Sequence, residues 1–256
     1  MNTTTIRRMA AGALVLSLAL TACGSDDSDD AAATPTTVAT TDAPKAACDA
    51  AVDISTLFNQ APQDPEAIQG YAEDTLVPAA RALVDALPDD LTDAGEAIEA
   101  TFAAIAESGD PSGIDSPEYA EANEATGQMV HERCGLAALD VVAADYAFQD
   151  LPEEVEAGRT SIALDNQGSE QHELVLFKKA DGETRGWDEL SQLPEEEQGA
   201  ALQFSGVAFG APGTTAYTTV DLEPGTYIAV CTMPVGGHED GEPHFMKGMV
   251  QELTVS

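Results

Sequence analysis

Two hydrophobic periods divide this chain, and one gives way to the other near Gly135. From about Lys45 to Gly135, alanine, leucine and isoleucine recur at the three- and four-residue intervals of an amphipathic helix, with acidic residues between them. The spacing predicts four helices, near 46–59, 64–87, 90–107 and 117–134. Local punctuation sets the cuts. Asp64-Pro65-Glu66 and Ser116-Pro117-Glu118 are start signals, Pro88 with Asp89 and Asp90 separates the second helix from the third, and Gly109 to Gly113 is a turn. Pro78 falls inside the second helix and is expected to kink or break it. Gly135 stops the fourth. Short connections force neighbouring helices to run antiparallel, so residues 45–135 are expected to form an up-and-down four-helix bundle.

Beyond Gly135 the apolar residues come in short, β-branched, partly alternating runs. The pattern predicts strands at Leu139 to Phe148, Leu151 to Gly158, Thr160 to Asn166, from His172 onward, at Thr214 to Val220, at Thr226 to Cys231 and at Met249 to Val255. Gln167-Gly168-Ser169 and Pro224-Gly225 are turns. Residues 181–200 are polar and read as an insertion with one short helix around Trp187. Many short strands with Gly/Pro punctuation imply a β-sandwich over residues 137–256.

The first residues belong to neither pattern. Arg7 and Arg8 precede an apolar run, Ala10 to Leu20, that is too short to span a bilayer and has the layout of an export signal. Leu20-Thr21-Ala22-Cys23, followed by Gly24-Ser25, resembles the lipobox of bacterial lipoproteins, in which the cysteine is lipidated and becomes the new N-terminus. Residues 1–22 are therefore expected to be a lipoprotein signal peptide, with Cys23 the lipidation site. Residues 23–44 are rich in Asp, Ser, Thr, Ala and Pro and read as a disordered tether. The expected location is outside the cytoplasm, lipid-anchored to the cell membrane.

Charge narrows the partners. The chain carries 46 acidic and 10 basic residues and a formal charge of −36, so it repels phosphate backbones and nucleic acid is not an expected partner. Export also gives the four cysteines meaning, because the compartment is oxidising. With Cys23 assigned to lipid, Cys48, Cys134 and Cys231 remain, an odd number. Cys48 opens the first predicted helix and Cys134 closes the fourth, and an antiparallel first-and-last pair brings them to one end of the bundle. A Cys48–Cys134 disulfide is expected, leaving Cys231 as a free thiol.

That thiol sits among other soft ligands. Cys231 ends an apolar strand, His244 and Met249 follow on a glycine-rich return, and His172 lies on an earlier strand. One cysteine, two histidines and a weak axial methionine form a donor set suited to copper. His238 is an alternative to His244, and Met233 and Met246 are alternatives to Met249. His131 beside Glu132 is not a ligand pair, since sequence neighbours do not share a helix face; it reads as a solvent-exposed or capping residue.

Phe148, Leu151-Pro152, Ala157-Gly158, Asn166-Gln-Gly168 before His172, Leu222-Glu-Pro-Gly225-Thr-Tyr227 before Cys231, then His244 and Gly248-Met249, together resemble the cupredoxins of the plastocyanin and azurin type. The resemblance covers about residues 137–256. It implies a Greek-key sandwich holding one copper ion, with His172, Cys231 and His244 as strong ligands and Met249 as the weak axial one. The four residues between His244 and Met249 fit the plastocyanin pattern. One departure is plain: twelve residues separate Cys231 from His244, where familiar members have two to four.

Several function classes fall away. Four histidines are too few for a mononuclear copper site plus a trinuclear cluster. No zinc-hydrolase ligand spacing, Ser-His-Asp elbow or phosphate-binding glycine loop is present, and no catalytic residues are assigned. The expectation is a non-enzymatic copper protein for electron transfer, working with an unidentified redox or envelope protein. Copper storage or delivery, and a copper-free binding module of the cell envelope, are the alternatives.

Overall fold

The computed structural model describes residues 43–62, 64–238 and 240–256, which fall in one compact unit. The signal, the Cys23 site and nearly all of the tether lie outside the described residues. Among the described residues no helix is long and apolar enough to cross a membrane.

Among the described residues five α-helical segments come first: α1 (Lys45–Asn59), α2 (Pro65–Tyr71), α3 (Val77–Ala86), α4 (Thr92–Ser108) and α5 (Pro117–Arg133). Between α2 and α3 the helix is not broken at Pro78 but widens into a π turn over Ala72–Leu76. Proline has no N–H to give the carbonyl one turn back and its ring crowds that carbonyl. The wider turn upstream relieves both problems. Gly109, in the left-handed region at φ 72°, ends α4, and the Ser116 hydroxyl caps α5 by accepting from the Tyr119 N–H. α3 packs on α4, α4 on α5, and α1 on both α3 and α5, burying Leu76, Leu83, Phe102 and Met129 in one apolar cluster. A disulfide joins Cys48 in α1 to Cys134 just after α5.

A mixed β region follows, in two sheets. The strands are β1 (Ala137–Ala144), β2 (Ala147–Gln149), β3 (Glu154–Val155), β4 (Gly158–Asn166), β5 (His172–Lys179), β6 (Leu202–Gly210), β7 (Thr215–Leu222), β8 (Gly225–Val230) and β9 (Val250–Val255). One sheet runs β2-β1-β4-β7 and the other β3-β9-β8-β5-β6. β1 with β4 and β3 with β9 are parallel; the other pairs are antiparallel. The period-two pattern explains the layers. Leu174 and Leu176 of β5, with Tyr227 and Ala229 of β8, meet Ile162, Leu164 and Val220 of the facing sheet. Their alternates Val175, Ile228 and Val230 point the other way, under Trp187 and Leu190. That outer cluster is covered by α6 (Trp187–Leu190) and α7 (Glu195–Ala201), two helices where one was expected.

β6 has no counterpart among the expected strands. Its alternation is broken where its register against β5 shifts, between Leu176 and Phe177, and it contains Gly206. The glycine is needed there, because a Cβ at that position would lie 2.5 Å from Val220 Cγ1 of β7.

The helices do not stand apart from the sandwich. α1 and α5 lie against β7, and α5 also against β4. A Cβ on Gly127 of α5 would sit 2.3 Å from the Tyr217 Cβ, so glycine permits that approach. Polar side chains line the seam: Asn59 Nδ2 donates to Thr218 Oγ1 (3.2 Å), and the Ser55 hydroxyl accepts from the Thr219 N–H (3.0 Å). His131 is a bracket in this seam rather than an exposed residue. Its ring nitrogens lie 3.1 Å from Ser161 Oγ and 3.1 Å from Asp140 Oδ1, and only 12% of its side chain is exposed.

Candidate metal centre

Three elements converge at one end of the sandwich. β5 begins with His172, the chain leaving β8 carries Cys231, and a short 3-10 turn, His244–Lys247, precedes β9. All three side chains are fully buried. Nδ1 of His172 lies 3.0 Å from Nδ1 of His244, and Sγ of Cys231 lies 3.3 Å from His244 Nδ1 and 4.0 Å from His172 Nδ1. The three donors form the metal-ligating group of His, Cys, Asp and Glu side chains found among the described residues. Edges of this length arise when bonds of about 2.0–2.3 Å converge on a shared ion, so the residues fit a metal. A thiolate with two imidazoles supports copper over harder ions.

The long interval between Cys231 and His244 is folded out of the way. Pro234 and Pro243 form an isolated antiparallel bridge, the Val235 N–H donates to the Glu242 carbonyl (3.0 Å), and the His244 N–H donates to the Met233 carbonyl (2.8 Å). These bonds close a neck, beyond which the chain makes a small lobe with Gly236 and Gly237 both in the left-handed region. On the inner side of the neck the Phe245 N–H donates to the Cys231 carbonyl (3.0 Å). Cysteine and histidine are thereby brought side by side despite the twelve residues between them.

The other sequence-derived candidates are distributed differently. His238 lies exposed on the lobe, outside the donor group, and Met246 is 61% exposed. Met233 is half-buried against the inter-sheet core. Met249 is fully buried in the same apolar cluster as Cys231, and its carbonyl accepts from the Cys231 N–H (3.1 Å).

Burial sets the protonation states. The Cys231 thiol is pushed up to about 11 by burial, partly opposed by N–H groups of Glu173 and Met233 that point at the sulfur. The Glu173 N–H lies 3.4 Å from Sγ. Those N–H groups favour the thiolate that a metal would stabilise. Burial, then the nearby His244, hold His172 below the usual histidine range, and the neutral ring is the form that ligates.

Four further residues support the centre, and sequence reasoning missed their roles. Glu170 Oε2 lies 3.3 Å from Nε2 of His244, while Oε1 accepts from the Tyr146 hydroxyl (3.0 Å). Asp145 Oδ1 lies 3.5 Å from Nε2 of His172, without hydrogen-bond geometry, so that this buried nitrogen has no hydrogen-bond partner. A metal on Nδ1 would leave the proton on Nε2, directed at that carboxylate. N–H and O–H donors keep both acids below the usual carboxylate range: Ser169 for Asp145, Gly236 and Tyr146 for Glu170. Asn166, fully buried, donates to the carbonyls of Glu170 (2.9 Å) and Gly210 (2.7 Å) and accepts from the Gly168 N–H (2.9 Å), bracing the turn that leads into His172. Gly168 is required in that turn, since a Cβ would lie 2.5 Å from His172 Nε2 and 2.7 Å from Asp145 Oδ1. Asn166 and Gly168 stood in the sequence motif ahead of His172; Asp145 and Glu170 had no comparable signal.

No protein-family model matches the sequence, and no curated protein matches it. Among solved structures, cupredoxins are similar over the C-terminal half at low identity. A dithionite-reduced auracyanin from the photosynthetic bacterium Roseiflexus castenholzii is 19% identical, with a TM-score of 0.32, covering 46% of this chain and 96% of that one. Auracyanin A, a "blue" copper protein of Chloroflexus aurantiacus, is 21% identical with a TM-score of 0.31, covering 48% and 100%. Rusticyanin from Thiobacillus ferrooxidans is 17% identical with a TM-score of 0.29, covering 46% and 77%.

Proposed function

We propose that this protein would hold one copper ion between His172, Cys231 and His244, with Met249 as a further, weaker ligand, and would use it to carry single electrons. The observation that supports this reading is the buried triangle of two Nδ1 atoms and one Sγ, with edges of 3.0, 3.3 and 4.0 Å. Bound copper supplies a one-electron couple between Cu(II) and Cu(I). Cys231 gives up its Sγ proton to solvent when the metal binds. The imidazoles present Nδ1 inward and keep the proton on Nε2. Strands β5, β8 and β9 fix the donors in a hydrogen-bonded frame, so little need move between oxidation states, and full burial excludes water from the three donor atoms.

In this reading residues 137–256 are a cupredoxin-like Greek-key domain and residues 45–135 an up-and-down bundle. Residues 23–44 are the tether and residues 1–22 a signal that is removed, leaving a lipid on Cys23 and the protein on the outer side of the cell membrane. It passes electrons to a redox partner protein and transforms no substrate.

Absorbance and EPR spectra of the Cu(II)-loaded protein test the central claim. One equivalent of copper with an intense visible band, lost in Cys231→Ser, is expected. A colourless protein that takes up no copper overturns it, and stoichiometric Cu(I) uptake without a coloured Cu(II) form points to storage or delivery instead.

A further inference from the structure

We propose that the two-residue turn Asp145-Tyr146, together with Glu170, forms an acidic outer shell that fixes both ligand imidazoles and biases the centre towards its oxidised, more highly charged state. This rests on the copper reading above.

Each histidine turns one nitrogen to the other donors and the opposite nitrogen to a carboxylate, His244 to Glu170 at 3.3 Å and His172 to Asp145 at 3.5 Å. Both carboxylates are themselves held from behind. Asp145 accepts from the Ser169 N–H (2.8 Å) and hydroxyl (3.0 Å), and Glu170 accepts from the Tyr146 hydroxyl and the Gly236 N–H. Adjacent residues of a single turn thus serve different histidines: Asp145 faces His172, while the Tyr146 ring stands edge-on to His244, centroids 5.0 Å apart, and anchors Glu170. Tyr146 has φ 65°, a left-handed conformation that is costly for a bulky residue and persists where the surroundings over-determine it. Here the surroundings are the His244 imidazole and the Glu170 carboxylate.

No lysine or arginine neutralises this shell among the described residues. Lys247, on the same turn as His244, pairs with Glu242. Glu173, unlike Asp145 and Glu170, is buried, and accepts from the Thr232 N–H and hydroxyl. Reduction of Cu(II) by one electron removes one positive charge from the centre, and neighbouring negative charge makes that step less favourable. Outer partners of this kind also fix the ligand tautomer. Glu170 should matter more than Asp145, because its side chain is 24% exposed against 47% and water screens it less.

The test compares reduction potentials of copper-loaded wild type, Glu170→Gln, Asp145→Asn and a remote charge control, Glu196→Gln. It adds imidazole nitrogen NMR on the metal-free wild type, Glu170→Gln and Glu170→Ala. At a fixed ambient potential, Glu170→Gln should shift the Cu(II):Cu(I) ratio about tenfold towards Cu(I), ~59 mV for one electron. Asp145→Asn should shift it less in the same direction, and Glu196→Gln not measurably. In the metal-free protein His244 should carry its proton on Nε2, keep it there in Glu170→Gln, whose amide oxygen still accepts, and lose that preference in Glu170→Ala. A Glu170→Gln potential equal to wild type overturns the electrostatic role, and an unchanged His244 tautomer in Glu170→Ala overturns the positioning role. Should wild type bind no copper, the copper reading and the redox role fall together, while the nitrogen spectra still decide positioning.

Discussion

In the helical half of this protein two cysteines 86 positions apart are joined covalently across the first and last helices; in the β half one cysteine stays reduced and meets two histidines. Both arrangements tie distant segments together at one end of a layer. The difference lies in what the sulfur is free to do. Cys134 is spent in a bond that constrains the unfolded chain, whereas Cys231 is kept as a buried thiol with N–H groups aimed at it and, among the described residues, no cysteine left to pair with. One half uses sulfur for stability and the other for ligand chemistry, so substitutions should separate colour from melting.

The largest separation is expected at Cys231. Replacing it with serine should lower copper(II) affinity by orders of magnitude and remove the visible band, yet leave the metal-free melting temperature within a few degrees, as copper titration and calorimetry would record. The opposite result, retained colour with a collapsed fold, would erase the contrast. Next comes the disulfide. Cys48→Ala with Cys134→Ala should cost about 4 kcal/mol on the chain-entropy argument, a drop on the order of 10 °C for a chain of this size, while the copper-loaded protein keeps its spectrum below that lower melting point.

A smaller effect should appear on raising the pH of the metal-free protein. The folded thiol holds its proton to about 11, two units above its ordinary 9.0, so the stabilisation is complete below about pH 9 and is lost as pH rises towards 11. About 2–3 kcal/mol should disappear over that window. Urea titrations at pH 8 and 11 would show a fall in stability about 2–3 kcal/mol smaller in Cys231→Ser than in wild type, since Tyr119 and Tyr217, whose hydroxyls burial also pushes up, contribute equally to both. Smallest of the four, Gly127→Ala should cost about 1–2 kcal/mol, because crowding against Tyr217 outweighs the gain in helix propensity. Its effect should be confined to denaturation, with the copper spectrum unchanged.

These contrasts also indicate what the sequence can carry. Helix limits were legible at Ser116, Pro117 and Gly109 because caps and breakers act over three or four residues. The donors stood out because cysteine, histidine and methionine are rare here and fall in order along the chain; three of the four meet in the described structure. β6 was not legible, since its bulge and Gly206 break the period at the point where it crosses β7. Asp145 and Glu170 were hidden for another reason. They are two acids among 46, and only a turn in β1–β2 and a brace through Asn166 single them out. The docking of α1 and α5 on the four-stranded sheet was equally silent, being written in small residues such as Gly127 and in scattered hydroxyls.

The neck at Pro234 and Pro243 has a consequence for how such chains diversify. Because the bridge fixes both ends of the lobe, the residues beyond Gly236, up to Gly241, should tolerate changes of length and composition without shifting Cys231 or His244, whereas Gly236 must keep the N–H that holds Glu170.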